Sequence, residues 1–364
     1  MKKILIGYII DGKKSGIDKY LLNMLKAIEG QDFQIDFLTN QIDEGLQQQL
    51  ASYGSKLYEI PTLKHPVKQV KLIKKILKEN DYEVAYFNIS EAFNCTGLLA
   101  SYLAKTPKRI LHSHSSGCDS ASKARYIKIA LHSIAKQLLP FWANAFVTCS
   151  DKAAEWMFPK RIIKSGKVEL ILNGVYAEKF AFSQEKRDQV RDAMNWQNKK
   201  ILMHVGSFFY VKNHPFLLDI INNLKEHTDE YRLVLVGDGP LKPEMEDVVK
   251  QGGLEDYVEF LGLRSDVAEL IQGSDMFLLP SHFEGLPLTA VEAQTSGTPC
   301  VLSANITRDA KLSETCEYAS IEDVHEWVEK ILKYRDYTKG TFCNTSGKIV
   351  DVMKQGEIFV KLFS

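Results

Sequence analysis

Apolar residues recur along the chain in short runs of strand length, separated by stretches in which they recur every three or four positions. In the first part, runs at Lys3–Tyr8, Phe33–Thr39, Lys56–Ile60, Val84–Asn88, Arg109–Ser113, Ala145–Cys149 and Val168–Leu172 read as strands. Helical patterns such as Ile17–Ile28 and Asn94–Ala104 lie between most of them. Strand–helix alternation of this kind predicts a doubly wound, mostly parallel sheet. Asn173-Gly174 marks a turn, and the alternation then restarts, with strands expected at Lys200–Val205, Arg232–Val236, Val258–Phe260, Met276–Leu279 and Pro299–Leu302. A pattern that stops and restarts predicts two Rossmann-like domains. The stretch from about Gly347 to Ser364 has helical periodicity through Ile349, Val352, Met353, Ile358, Val360 and Leu362.

The most informative stretch is Asp275–Pro299. Met276–Leu279 is an apolar run that stops at Pro280-Ser281; a polar loop carrying His282 and Glu284 follows, and Gly285 and Pro287 then open a helix to about Ser296. Proline at the first helical position and Gly297 after the last are the expected punctuation. The loop therefore lies at the carboxyl end of a strand, where open α/β sheets bind ligands. The N–H groups of residues 286 to 288 would face a phosphate at a positive helix N-terminus. Glu292 falls among Leu288, Ala290, Val291 and Ala293, so its carboxylate needs a surface or a partner.

Composition changes this picture little. At 364 residues, with 45% hydrophobic and 25% charged residues, the chain fits two soluble domains, and no apolar run reaches the ~18 residues of a membrane span. MKKILIGYII resembles a signal peptide for ten residues, but Asp11-Gly12-Lys13-Lys14 interrupts it, and a first β-strand is the better reading. Six cysteines are scattered without a CxxC pair, which fits reduced thiols and gives no support for zinc. Charge is uneven. Residues 1–172 hold 25 Lys+Arg against 16 Asp+Glu, and the remainder 21 against 30. A basic half and an acidic half are expected to meet different partners.

Taken together, Pro280, Ser281, Glu284, Gly285, Pro287, Glu292 and Ala293 resemble the signature of retaining glycosyltransferases of family 4. The resemblance implies an α/β GT-B fold, two Rossmann-like doubly wound domains facing across a cleft. The domains would be residues 1–172 for the acceptor, 173–346 for the nucleotide sugar, and a helix at 347–364 crossing back to the first. It places Glu284 near the donor sugar and Glu292 on the ribose hydroxyls. ILNGV at 171–175 is similar to the family's inter-domain element, although Tyr176 stands where an aspartate is usual. In VGSFFYVKNH, Gly206, Lys212, Asn213 and His214 match the family's phosphate-gripping segment, whereas Ser207 replaces its arginine. A lysine supplies charge to a phosphate without the arginine fork. His214 reads as a cap or packing residue.

Weaker matches complete the expected site. Gly12 and Gly16 lie in the loop after the first strand, with Ser15-Gly16 in place of the family's glycine pair. Gly237 belongs to the tight turn VGDGP. Arg264 lies where the family contacts the base, and an ion pair with Asp266 is an equally good reading. RILHSHSSG ends a strand with His112 and His114 on one side. The resemblance puts a histidine there against the donor sugar; His114 is the choice, and His112 reads equally well as packing. HSHSS is similar to capsule and exopolysaccharide members. Catalytic candidates are thus Glu284, His114 and Lys212, and donor-binding candidates Gly16, Gly206, Ser207, Lys212, Gly237, Arg264, Glu284, Gly285, Leu286, Pro287 and Glu292.

The implied activity is a retaining hexosyltransferase moving a hexose or N-acetylhexosamine from a nucleotide sugar, UDP-linked by preference, to a glycan or polyprenyl-linked acceptor. No D-x-D motif occurs, so no cofactor and no obligatory metal are expected, and no nucleic-acid partner. The expected location is cytoplasmic, peripheral on the inner face of the plasma membrane. Two stretches bear on an anionic membrane surface: the lysines 64, 68, 71, 75 and 78 opposite Val67, Val70, Ile73, Ile76 and Leu77, and the basic-apolar stretch Lys123–Trp142. For the first, an ordinary solvated helix face is the leading reading. Competing readings are an epimerase, which lacks the Glu284–Glu292 context, and a non-catalytic partner of an active transferase, suggested by Ser207 and the imperfect first glycine loop.

Overall fold

The computed structural model describes residues 1–12, 15–119, 124–340 and 342–364. They form two compact units, Met1–Gly174 with Ile349–Ser364, and Val175–Lys348. The first unit ends two residues beyond the expected Leu172. Asn23 Nδ2 donates to the Gly174 carbonyl at 3.1 Å and Gln355 Nε2 to the Leu172 carbonyl at 2.9 Å, which ties the turn to this side.

The first unit is a seven-stranded sheet. Its strands are β1 (Lys2–Gly7), β2 (Phe33–Thr39), β3 (Leu57–Glu59), β4 (Val84–Ile89), β5 (Lys108–Ser113), β6 (Ala145–Thr148) and β7 (Val168–Leu170), in the order β3-β2-β1-β4-β5-β6-β7. All pairings are parallel. Both faces are covered, so the strands are apolar on both sides. Ile4, Ile6, Phe37, Val84, Tyr86 and Ile110 point into one core, and their neighbours Leu5, Leu38, Ala85, Phe87 and Leu111 into the other. Sequence order reverses between β1 and β4, and the loops at that point open at the carboxyl edge of the sheet.

The C-terminal segment is less helical than its periodicity suggests. Gly347 sits at φ +68°, and a 3-10 turn (Val352–Gln355), capped by Asp351, precedes a helix of only Gly356–Phe363. That helix inserts Phe359 and Phe363 into the first unit's core, their rings 6.0 Å from Tyr20 and 5.5 Å from Tyr86 respectively.

The second unit is a six-stranded parallel sheet. β8 (Lys200–Val205), β9 (Tyr231–Val236), β10 (Val258–Gly262), β11 (Met276–Leu279), β12 (Cys300–Ser303) and β13 (Cys316–Ala319) run in the order β10-β9-β8-β11-β12-β13. β13 escapes the sequence reading because it is a four-residue edge strand, CEYA, with a central glutamate and half-covered side chains. The order reverses between β8 and β11, whose register pairs Met276 with Leu202. Leu202, Leu233, Leu235, Met276, Leu278 and Val301 pack under the helices His214–Lys225 and Val324–Lys333. The helix after β11 spans Leu288–Thr295, so Pro287, at ψ 106°, is its N-cap rather than its first residue. Among the described residues no helix is long and apolar enough to cross a membrane.

Candidate functional site

In the second unit the chemistry gathers where the loops after β8 and β11 emerge on either side of the sheet's reversal. Gly206–Phe209 lead into a 3-10 turn, Tyr210–Lys212, and Asn213 adopts a left-handed conformation (φ 54°, ψ 49°) before the helix His214–Lys225. This turn aims Lys212 at the loop after β11. Its Nζ lies 2.7 Å from Glu284 Oε1, and the Ser281 hydroxyl donates to the same oxygen at 2.9 Å. Both charged side chains are only 15% exposed. The loops are further joined by His282 N–H donating to the Val211 carbonyl at 2.9 Å, Asn213 Nδ2 donating to the Pro280 carbonyl at 3.2 Å, and Tyr210 stacking on His282 at 4.4 Å. One cation and one carboxylate are therefore held at fixed positions on a rigid seam.

Glycines let the neighbouring loops close in. A Cβ on Gly237, which sits at φ +145°, would lie 2.0 Å from the Gly206 carbonyl oxygen. A Cβ on Gly206 would lie 2.8 Å from His204 Nε2 and 3.1 Å from Lys212 Cδ. Phe208 N–H donates to the Asp238 carbonyl at 3.0 Å, so these two loops touch backbone to backbone, with Ser207 half-buried between. Under Lys212 lie two histidines. His214 is the first residue of its helix and stacks on Phe208 at 3.9 Å; burial, then His204 and Lys212, push it down to about 2. His204, whose Nδ1 lies 2.9 Å from the Leu278 carbonyl, is pushed by burial to about 3. Both are neutral packing groups at ordinary pH.

Gly285, Leu286 and Pro287 are buried as they lead into the helix Leu288–Thr295, and Glu292, in its second turn, is 6% exposed. Arg264 is held by Asp266 through two bonds, Nε to Oδ1 at 2.8 Å and Nη2 to Oδ2 at 2.6 Å, so its guanidinium serves that carboxylate.

In the first unit the loop after β1 is held from within. Asp18 Oδ2 accepts the N–H groups of Ile10, Asp11 and Gly12 at 3.0, 2.9 and 2.9 Å, and Ser15 Oγ caps Ile17 N–H at 3.1 Å. Gly16 opens the helix Gly16–Ala27, but these nearby donors are engaged by the chain itself. Burial pushes Asp18 up, against the three N–H bonds that pull it down. Sequence reasoning missed Asp18, because an acid in a first helical turn is commonplace.

At the carboxyl end of β5 the rings of His112 and His114 lie 3.9 Å apart. His112 is buried: its Nδ1 is 2.5 Å from the Tyr86 hydroxyl, itself 2.8 Å from the Tyr20 hydroxyl, so it packs. His114 is half-buried, its Nε2 2.8 Å from Asn88 Oδ1, while Asn88 Nδ2 faces the Gly7 carbonyl at 3.4 Å. That arrangement makes Nε2–H the donor. Burial pushes His114 down to about 3, opposed by a hydrogen bond with Asn173, so it is a neutral hydrogen-bonding group at ordinary pH. Asn88 carried no signal in the sequence, and Asn173 only that of a turn and of the inter-domain element; their bonds to His114 come from the fold.

Of the two basic-apolar stretches, the helix Pro66–Glu79 buries Gln69, Ile73, Ile76 and Leu77 and turns Lys68, Lys71, Lys75 and Lys78 to solvent, as an ordinary surface helix does. The second forms the helix Ala124–Trp142; Lys123 lies outside the described residues.

Known proteins resemble this chain over most of its length. The family described as Glycosyltransferase Family 4 matches residues 14–179, and Glycosyl transferases group 1 matches residues 186–333. A Bacillus subtilis (strain 168) protein bearing the name glycosyltransferase EpsF is 30% identical over 333 residues, 90% of this chain and 86% of the relative. An Escherichia coli UDP-Gal:alpha-D-GlcNAc-diphosphoundecaprenol alpha-1,3-galactosyltransferase is 25% identical, over 79% of this chain and 76% of the relative. The crystal structure of Anabaena HepE in complex with UDP and glucose superposes with a TM-score of 0.78 at 17% identity, covering 100% of this chain and 99% of that one. The chain belongs to glycosyltransferase family 4, has the GT-B fold, and is a glycosyltransferase.

Proposed function

We propose that the chain transfers a hexosyl or N-acetylhexosaminyl group from a UDP-sugar, with retention, to a glycan or polyprenyl-linked acceptor in the assembly of a surface polysaccharide. The observation that carries this reading is the Lys212–Glu284 pair, at 2.7 Å, seated at the reversal point of the second unit's sheet. The leaving group of such a reaction is a nucleoside diphosphate, and stabilising the charge that develops on it is the main task. Lys212 exchanges its bond to Glu284 for one to the diphosphate. Glu284, kept in place by Ser281, is then released toward the sugar hydroxyls. The N-terminus of the helix Leu288–Thr295 adds positive potential at its buried approach, Gly285–Pro287. Glu292 takes the ribose hydroxyls. His114 acts as a neutral donor and acceptor to the sugar.

In the transfer itself the bond from C1 to the diphosphate oxygen breaks. A bond from C1 to the acceptor oxygen forms on the same face, and the acceptor's proton passes to the departing phosphate oxygen. No obligatory metal takes part, in keeping with the lack of a D-x-D motif. Support for the donor comes from the HepE complexes with UDP, UDP and glucose, and UDP-glucose. Support for the acceptor comes from the E. coli relative and from a Campylobacter jejuni relative, 29% identical over 58% of this chain, whose substrates are diphospho-undecaprenol-linked sugars.

Purified protein is screened by thermal shift and donor hydrolysis against UDP-, GDP- and ADP-sugars, with Lys212→Ala and Glu292→Ala alongside. One UDP-sugar should stabilise the wild type and be hydrolysed slowly, and both variants should lose these effects. If no nucleotide sugar binds, the transfer reading fails and the chain is a partner of an active transferase.

A further inference from the structure

The helix Ala124–Trp142 is apolar on two faces, and only one of them is covered. On the covered face Leu139 is buried, and His132 stacks on Trp156 at 3.8 Å while accepting the Ala92 N–H at 3.0 Å. On the other face Ile127, Leu131, Ile134, Leu138 and Phe141 recur at intervals of four, three, four and three, which aligns them in one stripe. Ile127, Ile134 and Phe141 are each 66% exposed, Leu131 53% and Leu138 43%. Isolated exposed apolar residues need no explanation, whereas an aligned stripe of this length marks an interaction surface.

Charge decides what covers it. No Asp or Glu occurs from Ser120 to Ser150. Lys128 flanks one edge of the stripe. Arg161 borders the other, donating to the Gln137 carbonyl at 3.1 Å, and it belongs to a short helix, Lys160–Lys164, whose Lys160 and Lys164 are also exposed. Two acids lie near this helix. Glu155 is toward its covered side, where Lys136 Nζ donates to the Glu155 backbone carbonyl at 3.0 Å. Glu91, whose carboxyl burial pushes up, is close enough to Lys128 for that cation to pull it down, so the rim's unmatched charge lies at Lys160–Lys164. A second copy docking symmetrically through the stripe would bring these cations against one another. An apolar stripe edged by cations instead complements acyl chains beneath anionic headgroups.

We propose that the Ile127–Phe141 face of this helix, with Lys128 and the Lys160–Lys164 cations at its rim, lies on the surface of an anionic lipid bilayer. The proposal deepens the reading of a lipid-linked acceptor and rests on it for its purpose: a chain seated there meets its acceptor by diffusion in two dimensions.

The full-length chain is sedimented with vesicles of phosphatidylcholine alone and of phosphatidylcholine with one part in three phosphatidylglycerol, at low and high salt. Wild type should bind the anionic vesicles, and less well in high salt. Ile134→Ser with Leu138→Ser and Phe141→Ser should lower partitioning about tenfold or more, with melting temperature and donor hydrolysis unchanged. Gln at Lys160, Arg161 and Lys164, a change that touches no core, should lower it about tenfold and flatten the salt dependence. The proposal is overturned if wild type ignores anionic vesicles, or if the apolar variant binds them as wild type does. It is equally overturned if the stripe holds a dimer that the variant disperses while vesicles are ignored. Donor hydrolysis is read without membranes, so its absence beside intact vesicle binding overturns the transfer reading and leaves this one standing.

Discussion

Replacing Lys212 by methionine keeps most of the stem and removes the ammonium from its place 2.7 Å from Glu284 Oε1. At an effective dielectric of about 20, two charges ~4 Å apart attract by about 4 kcal/mol, most of it offset by the cost of taking both from water. Breaking a fully buried pair from one side costs about 3–5 kcal/mol and a surface pair about 0–1. With both side chains 15% exposed and Ser281 still donating to Glu284, this pair falls between, at about 2 kcal/mol. For a unit of this size (residues 175–348) that is a fall of about 4–8 °C in melting temperature. Glu284→Gln leaves an uncharged partner for Ser281 and Lys212 and should cost about half as much. The double variant should be less destabilised than the sum of the singles by about 1 kcal/mol. Thermal melts of the four proteins read this cycle, and donor turnover on the same samples should fall about 10²–10³-fold in each single variant. An unchanged melting temperature in Lys212→Met would refute the energetic reasoning. A lowered melting temperature with full turnover would leave the pair a structural clamp, with another group meeting the diphosphate.

Further outcomes follow from other groups. Burial holds His112, His114, His204 and His214 below the ordinary histidine range, at about 3 for His114 and His204 and about 2 for His214. Only the unfolded chain takes up these protons between about pH 6.5 and 3, so their contribution is complete above ~6.5 and is lost as pH falls, by at most ~1.4 kcal/mol per group per pH unit. Melting temperature should therefore drop between about pH 7.5 and 5.5, and a flat profile would contradict the neutral assignments. Asp18→Asn weakens the acceptor for three N–H groups and should destabilise the first unit by about 1–3 kcal/mol, with faster amide exchange at Ile10, Asp11 and Gly12; protected amides there would contradict it. Glu292→Gln should raise the donor KM about tenfold with kcat little changed, since its proposed contact is to the nucleotide in ground and transition state alike. Turnover should persist in excess EDTA; complete loss restored by a divalent cation would overturn the metal-free reading.

The alternation of apolar runs determined that two parallel sheets would form, and the punctuation of Met276–Gly297 determined that Glu284 would stand in a loop between a strand and a helix. Both are local properties: a strand buried on two faces must be apolar throughout, and a strand–loop–helix joint needs its proline and glycine wherever it occurs. Elements that the surroundings define were not legible. β13 is a strand only because β12 offers an edge to pair with, and the C-terminal helix is cut to Gly356–Phe363 because Gly347 and the Asp351 cap redirect the backbone. Sequence matched Lys212 to the family's phosphate-gripping segment and left Arg264 open between a contact to the base and an ion pair with Asp266. Tertiary structure separated them, since Asp266 holds the Arg264 guanidinium within its own turn while the reversal between β8 and β11 brings Lys212 to Glu284, 72 positions away. Asp18 shows the same limit. Its carboxylate reads as one more acid in a helix's first turn until the loop after β1 folds back over it, and hydrogen bonding at that range is a property of the path of the chain, which no residue states alone.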